Sequence, residues 1–112
     1  MMRTTTRQTL YLTLAIAGLA STWYHNLHFM AASDGGGLLA FVQALDVNHA
    51  TRSISWDITI AFLAFALWLP FEARRTGVRH WWLFLLLGGA IAFAFSFPLF
   101  LFFRERALAR AA

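Results

Sequence analysis

The chain has 112 residues, 60% hydrophobic and 12% charged, with no cysteine and a formal net charge of +4. Soluble globular domains carry roughly a quarter charged residues, so this composition argues against one, and the missing cysteine excludes disulfides, thiol catalysis and cysteinyl metal or iron–sulfur sites. All nine basic residues are arginine, and most stand beside apolar runs, where flanking charge orients membrane helices and meets anionic headgroups rather than nucleic acid.

The first apolar run, about residues 9–30, follows Arg3 and Arg7 and is long enough to cross a ~30 Å hydrocarbon core at ~1.5 Å per residue. A cleaved signal is its rival reading, because Gly18-Leu19-Ala20 offers small residues at cleavage positions. The apolar stretch continues past Ala20 into Trp23, which favours a retained helix. At its far end stand His25 and His28, three residues apart and flanked by Trp23, Tyr24 and Phe29. Such a pair sits on one helix face. Three readings stay open: axial ligation of haem or (bacterio)chlorophyll, a zinc-type site completed by His49 of the connector, or polar imidazoles at headgroup level.

The connector, 34–53, opens on three glycines and continues with Leu38, Leu39, Phe41, Val42 and Leu45 at near-helical spacing. That pattern predicts a short amphipathic helix lying in the interface or on the bundle. The second run, 54–71, carries Asp57 near its start. Inside lipid a carboxylate costs about 2.5–3.5 kcal/mol. A role as a helix-start cap, a pair with Arg52, or a polar cluster with Arg52 and His49 would offset that cost.

A basic stretch with Arg74, Arg75 and Arg79, turning at Gly77, leads to the third and most apolar run, 81–103. Gly88, Ala92 and Ser96 recur every four residues there, and Gly18 offers a similar seam on the first run, as close-packing helices require. Pro98 frees the carbonyl of Ala94 and bends the exit of this run. Arg104 and Arg106, like Arg74 and Arg75, are expected at lipid headgroups. With three crossings, the N-terminus and 72–80 share one side and Arg104, Arg106 and Arg110 the other, a thin charge margin favouring a cytoplasmic N-terminus.

Gly18, the Trp23-Tyr24 exit, Asp57 and the closing segment Pro98-Leu99-Phe100-Leu101-Phe102-Phe103-Arg104-Glu105 resemble the pattern of a family of small bacterial membrane proteins catalogued as domain of unknown function 2834. The resemblance covers nearly the whole chain. It implies a helical membrane fold and a place in the bacterial inner membrane, and brings no catalytic residue with it.

The expected architecture is therefore all-α: one membrane domain over 1–112, a three-helix bundle with a short interfacial helix between its first and second spans. With no cysteine or lysine and one carboxylate inside the spans, an enzyme is not expected. The expected role is an accessory or structural subunit of a larger membrane complex, photosynthetic or respiratory. A histidine-ligated haem or chlorophyll protein and an oligomeric small transporter are the alternatives. Pigment, quinone or lipid contacts would suit helix faces this rich in phenylalanine.

Overall fold

The computed structural model describes residues 3–33 and 36–111, so Asp34 and Gly35 of the predicted connector lie outside the described residues. The described residues form five helices and no strand: α1 (Thr4–Ala32), α2 (Gly37–Ala44), α3 (His49–Thr76), α4 (Trp82–Ala90) and α5 (Phe93–Ala111). The all-α class and the short connector helix, α2, are thus present. Phe29 of α1 and Phe41 of α2 meet edge to face at 5.6 Å.

The three-span arrangement needs correcting. Among the described helices, α3 alone is long and apolar enough to cross a membrane by itself. In α1, which has the length, Thr9, Thr13, Ser21, Thr22 and the His25–His28 end dilute the apolar run. Residues 81–103 are not one helix. Had they been continuous, Phe84 and Ser96 would stand ~18 Å apart at ~1.5 Å per residue. Instead the Ser96 hydroxyl donates to the Phe84 carbonyl, and the Phe84 ring meets those of Phe100 and Phe103 at 5.4 and 6.0 Å. The chain reverses at Ile91-Ala92, where the Ala92 amide bonds the Leu87 carbonyl across five residues. α4 therefore folds back along α5 as a helical hairpin.

The remaining packing follows from which residues face each other. Arg7 approaches Glu105, Gly18 abuts Ala94, and Trp23 reaches Ile91, so α1 runs antiparallel to α5. Phe65 meets Phe93, Phe97 and Phe100, and Glu72 meets Arg104, so α3 runs parallel to α5. Gly88 presses on Phe62, which lays α4 antiparallel to α3. The core lies where α3, α4 and α5 converge, with Phe65, Leu69, Ala73, Phe84 and Phe100 buried. α5 touches α1, α3 and α4 alike and is the hub.

This geometry also moves the charges. The start of α1, the end of α3 and the end of α5 lie together, which contradicts the placement of Arg104, Arg106 and Arg110 opposite the N-terminus. An apolar run that turns back inside itself returns its charged tail to the side from which it came.

Local chemistry explains the element ends. Asn48 caps α3, its side chain accepting from the Thr51 amide at 2.9 Å while the Thr51 hydroxyl accepts from the Asn48 amide at 3.2 Å, a reciprocal capping box. At the other end Gly77 takes φ 83° and its amide bonds the Ala73 carbonyl, a left-handed stop that suits glycine. Glu72 to Thr76, expected in the loop, extend α3 because Glu, Ala and Arg are good helix formers and Glu72 pairs with Arg75 one turn on.

The hairpin tip is served by α1. The Phe95 amide bonds Ala92, so Ile91's carbonyl has no helical donor there, and the Trp23 indole donates to it at 2.9 Å. Three residues further on, Pro98 has no N–H for the carbonyl of Ala94, and that oxygen lies against Gly18. Pro98 itself does not end the helix, since α5 continues to Ala111. Trp23→Phe keeps the ring and removes the donor. A loss of about 1 kcal/mol is expected, measured as a lower midpoint of thermal unfolding in mild detergent, with far-UV circular dichroism unchanged.

Candidate functional site

Where the ends of α1, α3 and α5 meet, two carboxylates are buried and three arginines surround them. Glu72 is 8% exposed and Glu105 3%. Arg75 holds Glu72 through both carboxylate oxygens, at 2.6 and 3.0 Å. Arg104 donates to the same carboxylate at 2.7 Å and to Glu105 at 3.2 Å. From α1, the Arg7 Nε comes within 3.5 Å of the second Glu105 oxygen. The network therefore ties three helices at one level: Arg104 of α5 reaches Glu72 of α3 and Arg7 of α1 reaches Glu105 of α5, while Arg75 and Glu72 pair within α3. Thr76 adds no partner, because its hydroxyl bonds back to the Glu72 carbonyl.

Beside this network lies an open groove of about 610 Å³ between the loop after α3, the start of α4 and the second half of α5. Arg79, Arg106 and Arg110 stand at it, over an apolar floor of Leu83, Phe84 and Phe103. Arg106 also lies over the Phe102 ring, 5.6 Å from its centre. The loop holds His80 at φ 56°, a left-handed conformation that non-glycine residues rarely take.

The residues singled out from sequence fall elsewhere. His25 and His28 are exposed on α1 and pack edge-on against the Tyr24 ring, at 5.1 and 4.4 Å. Neither lines the groove. No three His, Cys, Asp or Glu side chains come together as a metal site among the described residues. The proposed polar cluster is not assembled: Arg52 pairs with Asp46 at 2.6 Å, while no hydrogen bond or ion pair joins it to Asp57 or His49 among the described residues. Asp57 is exposed and stands nine residues along α3 rather than at its start, so Asn48 fills the cap position considered for it.

Of the small residues, Gly18 and Gly88 mark close approaches, where an added Cβ would strike the Ala94 carbonyl or the Phe62 ring. Ala92 lies in the hairpin turn and Ser96 is fully buried, so the three do not form one stripe on a straight helix. Of the four arginines expected at headgroups, Arg75 and Arg104 are engaged by Glu72, whereas Arg74 is exposed and Arg106 lines the groove. Neither Glu72 nor Glu105 is among the site residues expected from sequence, where Glu105 enters only as the end of the closing segment. Their signal was present in the pairs Glu72-Arg75 and Arg104-Glu105, but it has meaning only once both ends are known to share a level.

A chain whose three helix ends are locked by buried ion pairs, with an arginine-lined groove alongside, defines a small all-helical protein organised around its last helix. It belongs to the family described as Protein of unknown function DUF2834, whose model matches residues 10–106, a range holding both Gly18 and the closing Arg104-Glu105. No curated protein and no solved structure matches the chain.

Proposed function

We propose that the protein is a non-catalytic integral membrane protein that serves as a structural or accessory subunit of a larger membrane assembly. In this reading α3 and α1 cross the bilayer and the α4–α5 hairpin enters from one face and returns to it. The observation that carries the reading is the bulk of apolar side chain turned away from the core. Leu14, Ile16 and Leu27 on α1 and Ile54, Ile58, Leu63 and Leu67 on α3 are all more than half exposed. Surfaces of this kind need lipid or a partner helix. The hydroxyls of α1 are compatible with lipid, because Thr9, Thr13 and Thr22 each bond the carbonyl four residues back.

Charge supports an orientation. With the hairpin, eight of the nine arginines (Arg3, Arg7, Arg74, Arg75, Arg79, Arg104, Arg106 and Arg110) gather at one end, leaving Arg52 at the other. Such asymmetry favours that end in the cytoplasm. The inner membrane of a bacterium follows from the family resemblance.

Two measurements test the reading. Reporter fusions at the two termini should both report the cytoplasm; termini on opposite sides would refute the hairpin topology. Purification in mild detergent should recover partner proteins by mass spectrometry, and recovery of a lone protein would sink the accessory role. An absorption band lost in His25→Ala or His28→Ala would instead favour a histidine-ligated pigment.

A further inference from the structure

We infer that the groove between the α3–α4 loop, α4 and α5 is a binding site for one anionic phospholipid, its phosphate held by Arg79, Arg106 and Arg110 and an acyl chain laid on Leu83 and Phe103. The proposal rests on the membrane reading above and adds to it a defined ligand and place.

Charge bookkeeping at this end points to an anion. The two carboxylates here, Glu72 and Glu105, are already taken by Arg7, Arg75 and Arg104. Arg79, Arg106 and Arg110 make no ion pair among the described residues, yet all three line one groove. Guanidinium forks match a phosphate group in charge and geometry.

The floor points to a lipid rather than to a free anion. Leu83 and Phe103 are 42% and 40% exposed, and beneath them Phe84 is buried at 6%. An apolar trough continuous with a cationic rim is shaped for an amphiphile, whereas inorganic phosphate would leave the trough facing water. Basic pockets between helices on the cytoplasmic side suit anionic lipid headgroups. The rim arises from the hairpin: only because α5 returns to the end of α3 do Arg106 and Arg110 stand beside Arg79. The loop carrying Arg79 is also held between two left-handed residues, Gly77 and His80. Such backbone positions are found where surrounding structure holds a loop in place.

The test is native mass spectrometry of the full-length, detergent-extracted protein titrated with phosphatidylglycerol, with phosphatidylcholine and inorganic phosphate as separate arms. One equivalent of phosphatidylglycerol should be retained, and phosphatidylcholine should bind at least about tenfold more weakly. Arg106→Gln and Arg110→Gln should each weaken retention roughly fivefold, the effect of about one surface arginine on an anionic lipid. Arg74→Gln, outside the groove, should change nothing.

Equal retention of both lipids would overturn the proposal. So would full retention by the Arg79→Gln/Arg106→Gln/Arg110→Gln variant with an unchanged circular dichroism spectrum. Inorganic phosphate binding as tightly as the lipid would overturn the acyl part and with it the site as proposed. These failures leave the membrane reading standing, whereas recovery of the protein in the aqueous fraction without detergent would sink both.

Discussion

Replacing Glu72 with alanine is expected to destabilise the protein by about 3 kcal/mol, because removing one member of a buried ion network leaves the others without compensation. Arg75 can swing into the polar phase, its side chain being 60% exposed, but Arg104 at 23% has less freedom and loses its shortest partner. Glu105 then carries Arg104 alone from one side and Arg7 from the other. The expected readout is a lower midpoint in a denaturant titration monitored by tryptophan fluorescence. Glu72→Gln should lose less, since its amide oxygen still accepts a hydrogen bond from one guanidinium. A Glu72→Ala protein as stable as the wild type would mean the network contributes no net stability.

The second large effect is expected at Gly18. A side chain there meets backbone rather than another flexible side chain, because the added Cβ would collide with the Ala94 carbonyl. Neither helix can yield without parting α1 from α5. Gly18→Leu should cost about 3 kcal/mol or more, the upper range for overpacking. Gly18→Ala should lose less, offset by about 1 kcal/mol of better helix propensity. The absence of native cysteine permits a direct check. A disulfide engineered between the facing turns of α1 and α5 should form readily in the wild-type background and poorly with Gly18→Leu. Equal crosslinking in both would show that the close approach is not needed.

Much of the helical layout was legible in the residues. The apolar run after Asp57 identified α3, near-helical spacing from Leu38 to Leu45 identified α2, and Gly77 was recognised as a turn. The proline-freed carbonyl of Ala94 was also readable, though not that Gly18 would lie against it. What escaped was the reversal at Ile91-Ala92. Residues 81–103 are apolar throughout, and hydropathy registers length and polarity but not direction. The one local mark is Gly88-Gly89 just before the turn, a pair that weakens a helix, whereas the spacing of Gly88, Ala92 and Ser96 suggests a packing stripe on one straight helix. That single omission moved Arg104 and Glu105 to the wrong end and hid the ion-pair network, since Glu72 had no visible partner from α5. The same error made the arginine count nearly even between the two sides. The histidines drew attention because imidazoles are chemically versatile, but their exposed positions on α1 give them only Tyr24 as a described ring neighbour.

The hub position of α5 has a consequence for how the molecule is made. Synthesis proceeds from the N-terminus, so α1, α2, α3 and α4 emerge before the helix that packs against three of them. Until Phe93–Ala111 is available, the buried side chains of α3 lack Phe100, Arg7 lacks Glu105, and the Trp23 indole has no turn to bond. Folding is therefore completed by the nineteen residues of α5, which close the earlier helices together as a keystone does. Loss of that segment removes the helix that joins α1 to α3 and α4, leaving α1 against α2 and α4 against α3 rather than a slightly shorter bundle.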